Sequence, residues 1–158
     1  MSTAVYPGSF DPITNGHLDL IRRTAAIFDK VVIGILVNQS KKPLFSLEER
    51  TEMIRKVTED IPNIEVYPFS GLVVEFAKEH DVNVLIRGIR STTDFEYELQ
   101  MAQINHKIDD KIDTLFFATD PGYSFISSSA VKELWYYHQD IREYVPDYVI
   151  QKLQEKEI

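Results

Sequence analysis

Short apolar runs alternate with helical patterns along this chain, and this alternation restricts its possible folds more than any other feature. Residues 31–37 are continuously apolar and rich in branched side chains, which is typical of a strand buried on both faces of a parallel sheet. Residues 82–86 and 114–118 have the same character, and residues 4–6 and 64–67 complete five predicted strands. Because strands separated by helices join through right-handed crossovers, we predict an α/β fold, a Rossmann-like doubly wound five-stranded parallel sheet with flanking helices.

The segments between the predicted strands have the spacing of amphipathic helices. After the first strand, apolar residues recur at the i, i+3, i+7 and i+10 positions of one helix face. Ser46 followed by Glu49 predicts a capping box at the start of a second helix. A helix that begins near residue 92 is expected to direct Phe95, Leu99 and Ala102 inward. Further helices are predicted at about residues 73–80, 127–135 and 146–155.

Length, charge and composition exclude several classes of protein. The chain has 158 residues, which fits one domain spanning residues 1–158. It contains no cysteine, so disulfides and thiol chemistry are excluded. Its net charge is -8, with 25 acidic and 17 basic residues, which argues against a general nucleic-acid-binding surface. Since the sequence has neither a signal-peptide pattern nor a long apolar run, we expect a cytoplasmic protein with no membrane partner.

Polar residues collect directly after the predicted strands, where a doubly wound sheet has its ligand crevice. The first strand continues into residues 6–17, a turn rich in Gly, Pro, Asp and Asn that leads into a helix. A helix N-terminus presents backbone N–H groups and the positive end of a dipole, so it favours phosphate. His17 falls in the first turn of this helix, where a neutral imidazole can donate one hydrogen bond to a phosphate oxygen.

Cationic residues follow the second and fourth predicted strands. Lys41 comes after the second strand, where it can act as a mobile charge on a phosphate or simply belong to a solvated loop. Arg87 and Arg90 flank Gly88, a residue that permits close backbone approach, and this arrangement suits phosphate oxygens. The alternative is that both arginines form ion pairs with nearby carboxylates, namely those of Asp94, Glu96 and Glu98.

A serine run follows the fifth predicted strand. Ser127, Ser128 and Ser129 can each cap a helix, and a second helix N-terminus at the same sheet edge also offers a second anion site. Two such sites suit a triphosphate. The glycine fingerprint of dinucleotide-binding folds and the P-loop pattern are both absent from the sequence. No spacing of His, Asp and Glu suggests a metal site formed by the protein itself.

Several segments resemble one enzyme family, and they run in order through nearly the whole chain. Residues 14–17, Thr-Asn-Gly-His, and residues 126–129, Ile-Ser-Ser-Ser, resemble the two signatures of the nucleotidyltransferase superfamily. Further segments are similar to bacterial phosphopantetheine adenylyltransferases, namely residues 6–12, 40–43, 85–90, 94–98 and 124–133. This combination of segments is highly specific.

The resemblance implies an enzyme of coenzyme A biosynthesis that joins ATP to 4'-phosphopantetheine, giving dephospho-coenzyme A and pyrophosphate, with Mg2+ carried by the nucleotide. The acceptor would contact Ser9, Lys41, Val73 and Arg87. The residues that would bind ATP are Ser9, Phe10, His17, Gly88, Ile89, Arg90, Glu98, Tyr123, Ser124, Phe125, Ile126, Ser127, Ser128 and Ser129. The resemblance also implies a homo-oligomer, a hexamer, with coenzyme A as a feedback ligand.

The expected chemistry needs no nucleophile from the enzyme, because a phosphomonoester is already anionic. We expect direct in-line attack without a covalent intermediate, with His17, Lys41 and Arg90 stabilising negative charge in the transition state. Two alternatives stay open. One is a nucleotidyltransferase for another phosphorylated acceptor, such as nicotinamide mononucleotide or glycerol 3-phosphate, and the other is a non-catalytic ATP-binding module.

Overall fold

Five parallel strands form the central sheet of the computed structural model, which describes residues 1–38 and 42–156. The spatial order of the strands is β3-β2-β1-β4-β5, and all neighbouring pairs are parallel. The predicted doubly wound sheet is therefore confirmed. The strands are β1 (Thr3–Gly8), β2 (Lys30–Leu36), β3 (Ile64–Phe69), β4 (Val84–Ile89) and β5 (Asp113–Ala118).

Helices connect the strands and follow the last one. The predicted capping box is confirmed, because Ser46 Oγ accepts from Glu49 N–H at 3.1 Å and Glu49 Oε1 accepts from Ser46 N–H at 3.3 Å. Across the two described ranges, no helix has the length and apolar character needed to cross a bilayer. The helices are α1 (Asn15–Ile27), α2 (Leu47–Val57), α3 (Val73–Glu79), α4 (Thr92–Ile108), α5 (Ser128–Tyr136) and α6 (Asp147–Glu155), with a short 3-10 helix at Pro121–Tyr123.

Strand β4 ends later than the sequence predicts. The predicted strand ends at residue 86, so that Arg87 would follow it, but β4 continues to Ile89 and contains Arg87. The parallel ladder explains the difference, since Arg87 and Gly88 are paired with residues of β5 and share its regular register. The direction of the Arg87 side chain is consequently fixed by a strand and not by a turn.

Helix α4 turns a different face inward from the one predicted. Phe95 and Leu99 are 41% and 37% exposed, so the prediction that they point inward is wrong, whereas Ala102, predicted with them, does lie on the inward face. The buried residues of α4 are Glu98 and Asn105, which lie two turns apart on one face. This face is partly polar because it lines a cavity rather than closing the apolar core.

Two apolar clusters cover the opposite faces of the sheet. Val5, Val32 and Leu85 belong to one cluster, whereas the alternating neighbours Ile33 and Ile86 belong to the other. From β1 the chain first moves outward to β2 and β3 and then returns to β4 on the other side of β1. In such a sheet the crevice for a ligand lies where the order reverses, at the carboxyl ends of β1 and β4.

Candidate active site

Two adjoining cavities lie at the carboxyl ends of β1 and β4. The first, which we call the His17 cavity, has a volume of about 300 Å³ and is lined by residues from β1, α1, β4 and the start of α5. The second, which we call the α4 cavity, has a volume of about 350 Å³ and is lined largely by α4 and the segment around Val73. The residues that line both cavities are Pro7, Gly8, Ser9, Arg87 and Glu98.

The cap of α1 fixes the orientation of the His17 ring. Thr14 is the N-cap residue, and its Oγ1 accepts from His17 N–H at 3.3 Å. In return, Thr14 N–H donates to His17 Nδ1 at 3.0 Å. Because Nδ1 accepts this hydrogen bond, the neutral ring carries its proton on Nε2. The ring also packs edge-on against Phe10, with 5.1 Å between the ring centroids.

The electrostatic surroundings keep His17 neutral. Burial, with smaller contributions from the cations of Arg87 and Arg90, lowers the pKa of His17 to about 4. At neutral pH the ring is therefore uncharged, and its one acceptor nitrogen is already occupied by Thr14. What the ring can give a ligand is the Nε2–H hydrogen bond, so His17 is suited to stabilising charge and unsuited to acting as a base.

Phe10 packs the turn between β1 and α1 from within. Its ring is 2% exposed and lies edge-on to Tyr6, with 5.4 Å between the centroids. A Cβ atom added at Gly8 would lie 3.0 Å from the Phe10 ring, so the ring occupies space that only glycine provides. This packing holds Ser9, which is exposed, at the junction of the two cavities.

Arg87 is clamped on three sides at the wall between the cavities. Its Nε and Nη2 each donate to one oxygen of Glu98 at 2.8 Å, and its Nη1 donates to the Pro7 carbonyl at 2.9 Å. Glu98 is only 8% exposed. A two-pronged pair of this kind fixes the position of the guanidinium plane.

Arg90 lines the His17 cavity and is also tethered. Its Nε donates to Asp94 at 3.0 Å, and its Nη1 donates to the carbonyl of Ile126 at 3.1 Å. The ion-pair alternative considered from the sequence therefore describes both arginines, with Glu98 and Asp94 as the carboxylates. Ion pairing does not remove these residues from the site, because both arginines still line the His17 cavity.

The N-terminus of α5 has more free backbone N–H groups than the N-terminus of α1. Ser127 Oγ accepts from Ala130 N–H at 3.0 Å, and Ser128 Oγ donates to the Pro12 carbonyl at 2.7 Å. Within residues 1–38 and 42–156, no protein group accepts from the N–H groups of Ser128 and Ser129. These two donors are consequently free to bind an anion.

The N-terminus of α1 is largely satisfied by the protein itself. Asn15 N–H donates to the Tyr144 carbonyl at 2.7 Å, and the N–H groups of Thr14 and His17 are bonded within the cap. The sequence predicts anion binding at both helix ends, but the geometry gives α5 more free backbone donors. The main group that α1 offers to a ligand in the His17 cavity is the imidazole of His17.

Most residues that the sequence predicts for ATP line the His17 cavity. Ile89, Ser124, Phe125 and Ser129 are outside its lining, although they adjoin residues within it. Lys41 lies outside the described residues. Of the residues predicted for the acceptor, Ser9, Val73 and Arg87 line the α4 cavity. The predicted ATP residues in the lining of the His17 cavity are Ser9, Phe10, His17, Gly88, Arg90, Glu98, Tyr123, Ile126, Ser127 and Ser128.

Sequence reasoning missed most of the α4 cavity. The face of α4 that lines it has residues at i, i+3, i+4 and i+7, a spacing that the sequence contains but that the apolar stripe through Phe95 obscures. The cavity is bounded mainly by apolar side chains. Its lining on α4 is Tyr97, Glu98, Met101, Ala102 and Asn105.

The role of Asp11 in joining separate segments was also missed by sequence reasoning. Its carboxylate accepts from the N–H groups of Leu44 and Phe45, both at 2.9 Å, and pairs with Lys132 at 3.1 Å. These contacts join the turn after β1 to the segment before α2 and to α5. No pattern in the sequence indicates that residues this far apart would meet at one carboxylate.

The described residues of this site include no cluster of metal-binding side chains. Among the residues that the structure describes, no group of three or more His, Cys, Asp or Glu side chains has an arrangement able to hold a metal ion. The acidic side chains that line the His17 cavity, Asp94 and Glu98, are both engaged by arginines.

Comparisons with known proteins identify the family. A cytidylyltransferase-like family model matches residues 5–134. The chain is 55% identical over 156 residues to a phosphopantetheine adenylyltransferase from Lachnoclostridium phytofermentans, covering 99% of this chain and 96% of that protein. A phosphopantetheine adenylyltransferase from Clostridium tetani is 53% identical, with 99% and 98% of the two chains covered. The chain belongs to the phosphopantetheine adenylyltransferase family. The motif resemblance found in the sequence is thereby confirmed, and the chain is an enzyme of the phosphopantetheine adenylyltransferase type.

A solved structure supports the fold of this phosphopantetheine adenylyltransferase chain independently. A protein from Vibrio parahaemolyticus, provisionally named a nicotinate-nucleotide adenylyltransferase, superimposes with a TM-score of 0.73. The match covers 98% of this chain and 93% of that one, at 14% sequence identity. At this low identity the likeness concerns the fold alone.

Proposed function

We propose that this chain transfers the adenylyl group of MgATP to 4'-phosphopantetheine, giving dephospho-coenzyme A and pyrophosphate. The observation that carries the proposal is the junction of two cavities at Ser9, Arg87 and Glu98. An adenylyltransferase must hold two phosphorylated molecules so that the acceptor phosphate lies in line with the α-phosphate of ATP. Two adjoining cavities with a cationic residue in their common wall meet that requirement.

We assign the His17 cavity to ATP. The N–H group of Ser128, the Nε2–H of His17 and the guanidinium of Arg90 supply donors suited to phosphate oxygens in the lining of this cavity, and the free N–H group of Ser129 adjoins it. Gly88 presents no side chain at the end of β4, where a Cβ atom would lie 3.1 Å from a carbon of Leu20 and narrow the cavity. The other residues that the family motifs implicate in ATP binding, Ile89 and Tyr123 to Phe125, belong to the same proposal.

We assign the α4 cavity to the acceptor. A pantetheine arm is long and largely apolar with two amide groups, and the cavity combines apolar walls with polar side chains such as Asn105. Ser9 and Arg87 stand where this cavity meets the His17 cavity, so they would hold the acceptor phosphate. Lys41 is proposed as a further cation on that phosphate because its family motif matches.

The proposed reaction is a direct in-line displacement. An oxygen of the acceptor phosphate attacks the α-phosphorus of ATP, the bond to the bridging oxygen breaks, and pyrophosphate leaves with the electron pair. No protein group needs to become covalently attached or to remove a proton. The neutral His17, together with Arg90 and Lys41, would stabilise the negative charge that builds on the phosphoryl oxygens. Mg2+ would enter as part of the MgATP substrate and be held mainly by its phosphates.

An acceptor panel tests the proposal. Purified protein with MgATP is assayed for pyrophosphate release with 4'-phosphopantetheine, nicotinamide mononucleotide, glycerol 3-phosphate and unphosphorylated pantetheine. We expect turnover with 4'-phosphopantetheine and no detectable turnover with pantetheine, because pantetheine lacks the phosphate whose oxygen would attack the α-phosphorus and which Arg87 would hold. Preference for another acceptor would refute the substrate assignment. ATP binding without turnover on any acceptor would support a non-catalytic module.

We further propose that the chain forms a homo-oligomer, the hexamer implied by its family. The edge strand β5 and the outer face of α4 expose apolar side chains, which favours burial against other copies. Sedimentation velocity measures the mass, and a monomer at micromolar concentration would contradict the proposal. The exposed side chains concerned are Leu99, Ile104, Ile108 and Leu115.

Coenzyme A is proposed as a feedback ligand because it combines a pantetheine arm with an adenosine phosphate. One molecule would occupy parts of both cavities and so compete with both substrates. Inhibition kinetics at varied ATP and 4'-phosphopantetheine test this proposal, and inhibition that neither substrate relieves would contradict it.

A further inference from the structure

Arg50 is a buried cation that lies directly behind the site. It is in the first turns of α2 and is only 4% exposed. Its Nη1 donates to the Ser9 carbonyl at 2.9 Å and to the Leu36 carbonyl at 3.2 Å. No carboxylate of the described residues lies within ion-pair distance of it, and its buried Nε has no hydrogen-bond partner there.

Burying a guanidinium without a carboxylate partner lowers the stability of the fold, so a purely structural role does not explain Arg50. A buried charge is normally paired, and each unsatisfied buried donor destabilises the fold. Arg50 instead uses its charge on the carbonyls at the carboxyl ends of β1 and β2. One of these carbonyls belongs to Ser9, the residue at the junction of the two cavities.

We propose that Arg50 is a positioning residue for adenylyl transfer, acting through Ser9. By holding the Ser9 carbonyl against the end of β2, Arg50 fixes the backbone that carries the Ser9 hydroxyl and so sets where this hydroxyl meets the phosphates. Lysine keeps the charge but lacks the planar fork that lets one nitrogen bridge two carbonyls in a set direction. The inference rests on the proposed function for its kinetic readout, and a binding readout tests it separately.

A double-mutant cycle separates positioning from general structural support. Arg50→Lys and Ser9→Ala are made singly and together, and kcat and the Kd for MgATP are measured well below the Tm of each variant. We expect Arg50→Lys to lower kcat about tenfold or more when Ser9 is present, because small displacements at a reacting centre reduce rates strongly. In the Ser9→Ala background the same change should lower kcat less than about twofold, since the group being positioned is gone. The Kd for MgATP should likewise change more with Arg50→Lys when Ser9 is present than in the Ser9→Ala background.

Arg55, an exposed arginine on the same helix, provides a control for the loss of a guanidinium–carbonyl contact. Its Nη2 donates to the Val66 carbonyl at 3.3 Å, away from both cavities. Arg55→Lys should leave kcat and the MgATP Kd unchanged within about twofold in both backgrounds. If Arg50→Lys does not fold, Arg50→Gln, a shorter neutral donor, replaces it in the cycle.

The outcomes distinguish this inference from the proposed function. Additive effects of Arg50→Lys and Ser9→Ala on both kcat and Kd would overturn the positioning role, even with full turnover in the unmodified protein. Coupling in the MgATP Kd without turnover on any acceptor would support the positioning role and refute the proposed reaction.

Discussion

Substitution of His17 separates its structural contribution from its contribution to the transfer step. The two ring nitrogens have different partners, because Nδ1 accepts from Thr14 N–H at 3.0 Å while Nε2 carries the proton available to a ligand. His17→Asn keeps an acceptor, Oδ1, near the position of Nδ1 but has no donor at the position of Nε2. His17→Ala removes both groups. The pair of variants therefore tests each nitrogen in turn.

The expected magnitudes follow from these contacts. We expect kcat to fall about 10² to 10³-fold in both variants, as when one preorganised donor to a transition-state oxygen is removed. Both variants lose the ring contact with Phe10, and His17→Ala should lose roughly 1 to 2 kcal/mol more than His17→Asn, because the N–H of Thr14 loses its acceptor in a residue that is 2% exposed. For a chain of this length that loss corresponds to about 2 to 4 °C in Tm for each kcal/mol.

The assay combines steady-state pyrophosphate release with thermal unfolding. The KM for ATP should change much less than kcat, because the Nε2–H contact is expected to strengthen in the transition state. A wild-type kcat in His17→Asn would refute the assignment of Nε2. Equal losses of Tm in the two variants would refute the assignment of Nδ1 as the cap acceptor.

Three further predictions concern acid stability, the reaction path and the contacts of Asp11. Burial lowers the pKa of His17 to about 4 from 6.5, so stability present above pH 6.5 is lost as the pH falls toward 4, in total about 3 kcal/mol. Urea unfolding of wild type and His17→Asn at pH 7 and 4.5 measures this loss, and parallel pH dependences would contradict it. Incubation with ATP labelled at the α-phosphate and no acceptor should yield no labelled protein, whereas a stable label on the chain would exclude direct transfer. Asp11→Asn should lower the free energy of unfolding by roughly 2 to 3 kcal/mol, because the carboxylate holds two backbone N–H groups and Lys132. A loss below about 0.5 kcal/mol in chemical denaturation would show that these contacts are weak.

Strands β1 and β2 were predictable because they are buried in the centre of the sheet, and β2 shows the continuous apolar run that such burial demands. Strand β5 was predicted from the same buried-strand pattern, but it lies at the edge of the sheet and none of its residues is buried. The end of β4 was not predictable, because Arg87 and Gly88 interrupt the apolar run while the ladder to β5 continues through them. Which side of α4 points inward was hard to predict for a related reason. Its inward side lines a cavity, so Glu98 is buried while the apolar Phe95 and Leu99 are partly exposed. Apolar patterns predict which residues pack in a core, and they fail to predict buried residues where an inward surface lines a cavity.

The candidate site was predictable in its location and less so in its internal contacts. The rule that ligands bind at the carboxyl ends of strands brought His17, Arg87 and Arg90 to one crevice. The partners of these residues depend on distances between elements that no local pattern encodes. Arg50 illustrates the limit, since in the sequence it is an ordinary polar position of an amphipathic helix, yet it lies almost fully buried behind Ser9.

Contacts within the protein orient the cations of this site, and this order suits the proposed charge-stabilising mechanism. Arg87, Arg90 and Arg50 each donate to at least one main-chain carbonyl at the end of a strand or the start of a helix. Carbonyls hold a guanidinium in place without neutralising it, whereas the carboxylates of Glu98 and Asp94 position Arg87 and Arg90 and also offset their charges. Preorganised dipoles and charges need little rearrangement as the transition state forms, so they stabilise it more than mobile surface cations would. The donors that stay unneutralised here are the buried cation of Arg50, the Nε2–H of His17 and the free N–H groups at the start of α5, and in a chain with a net charge of -8 such nearby groups outweigh distant screened charges.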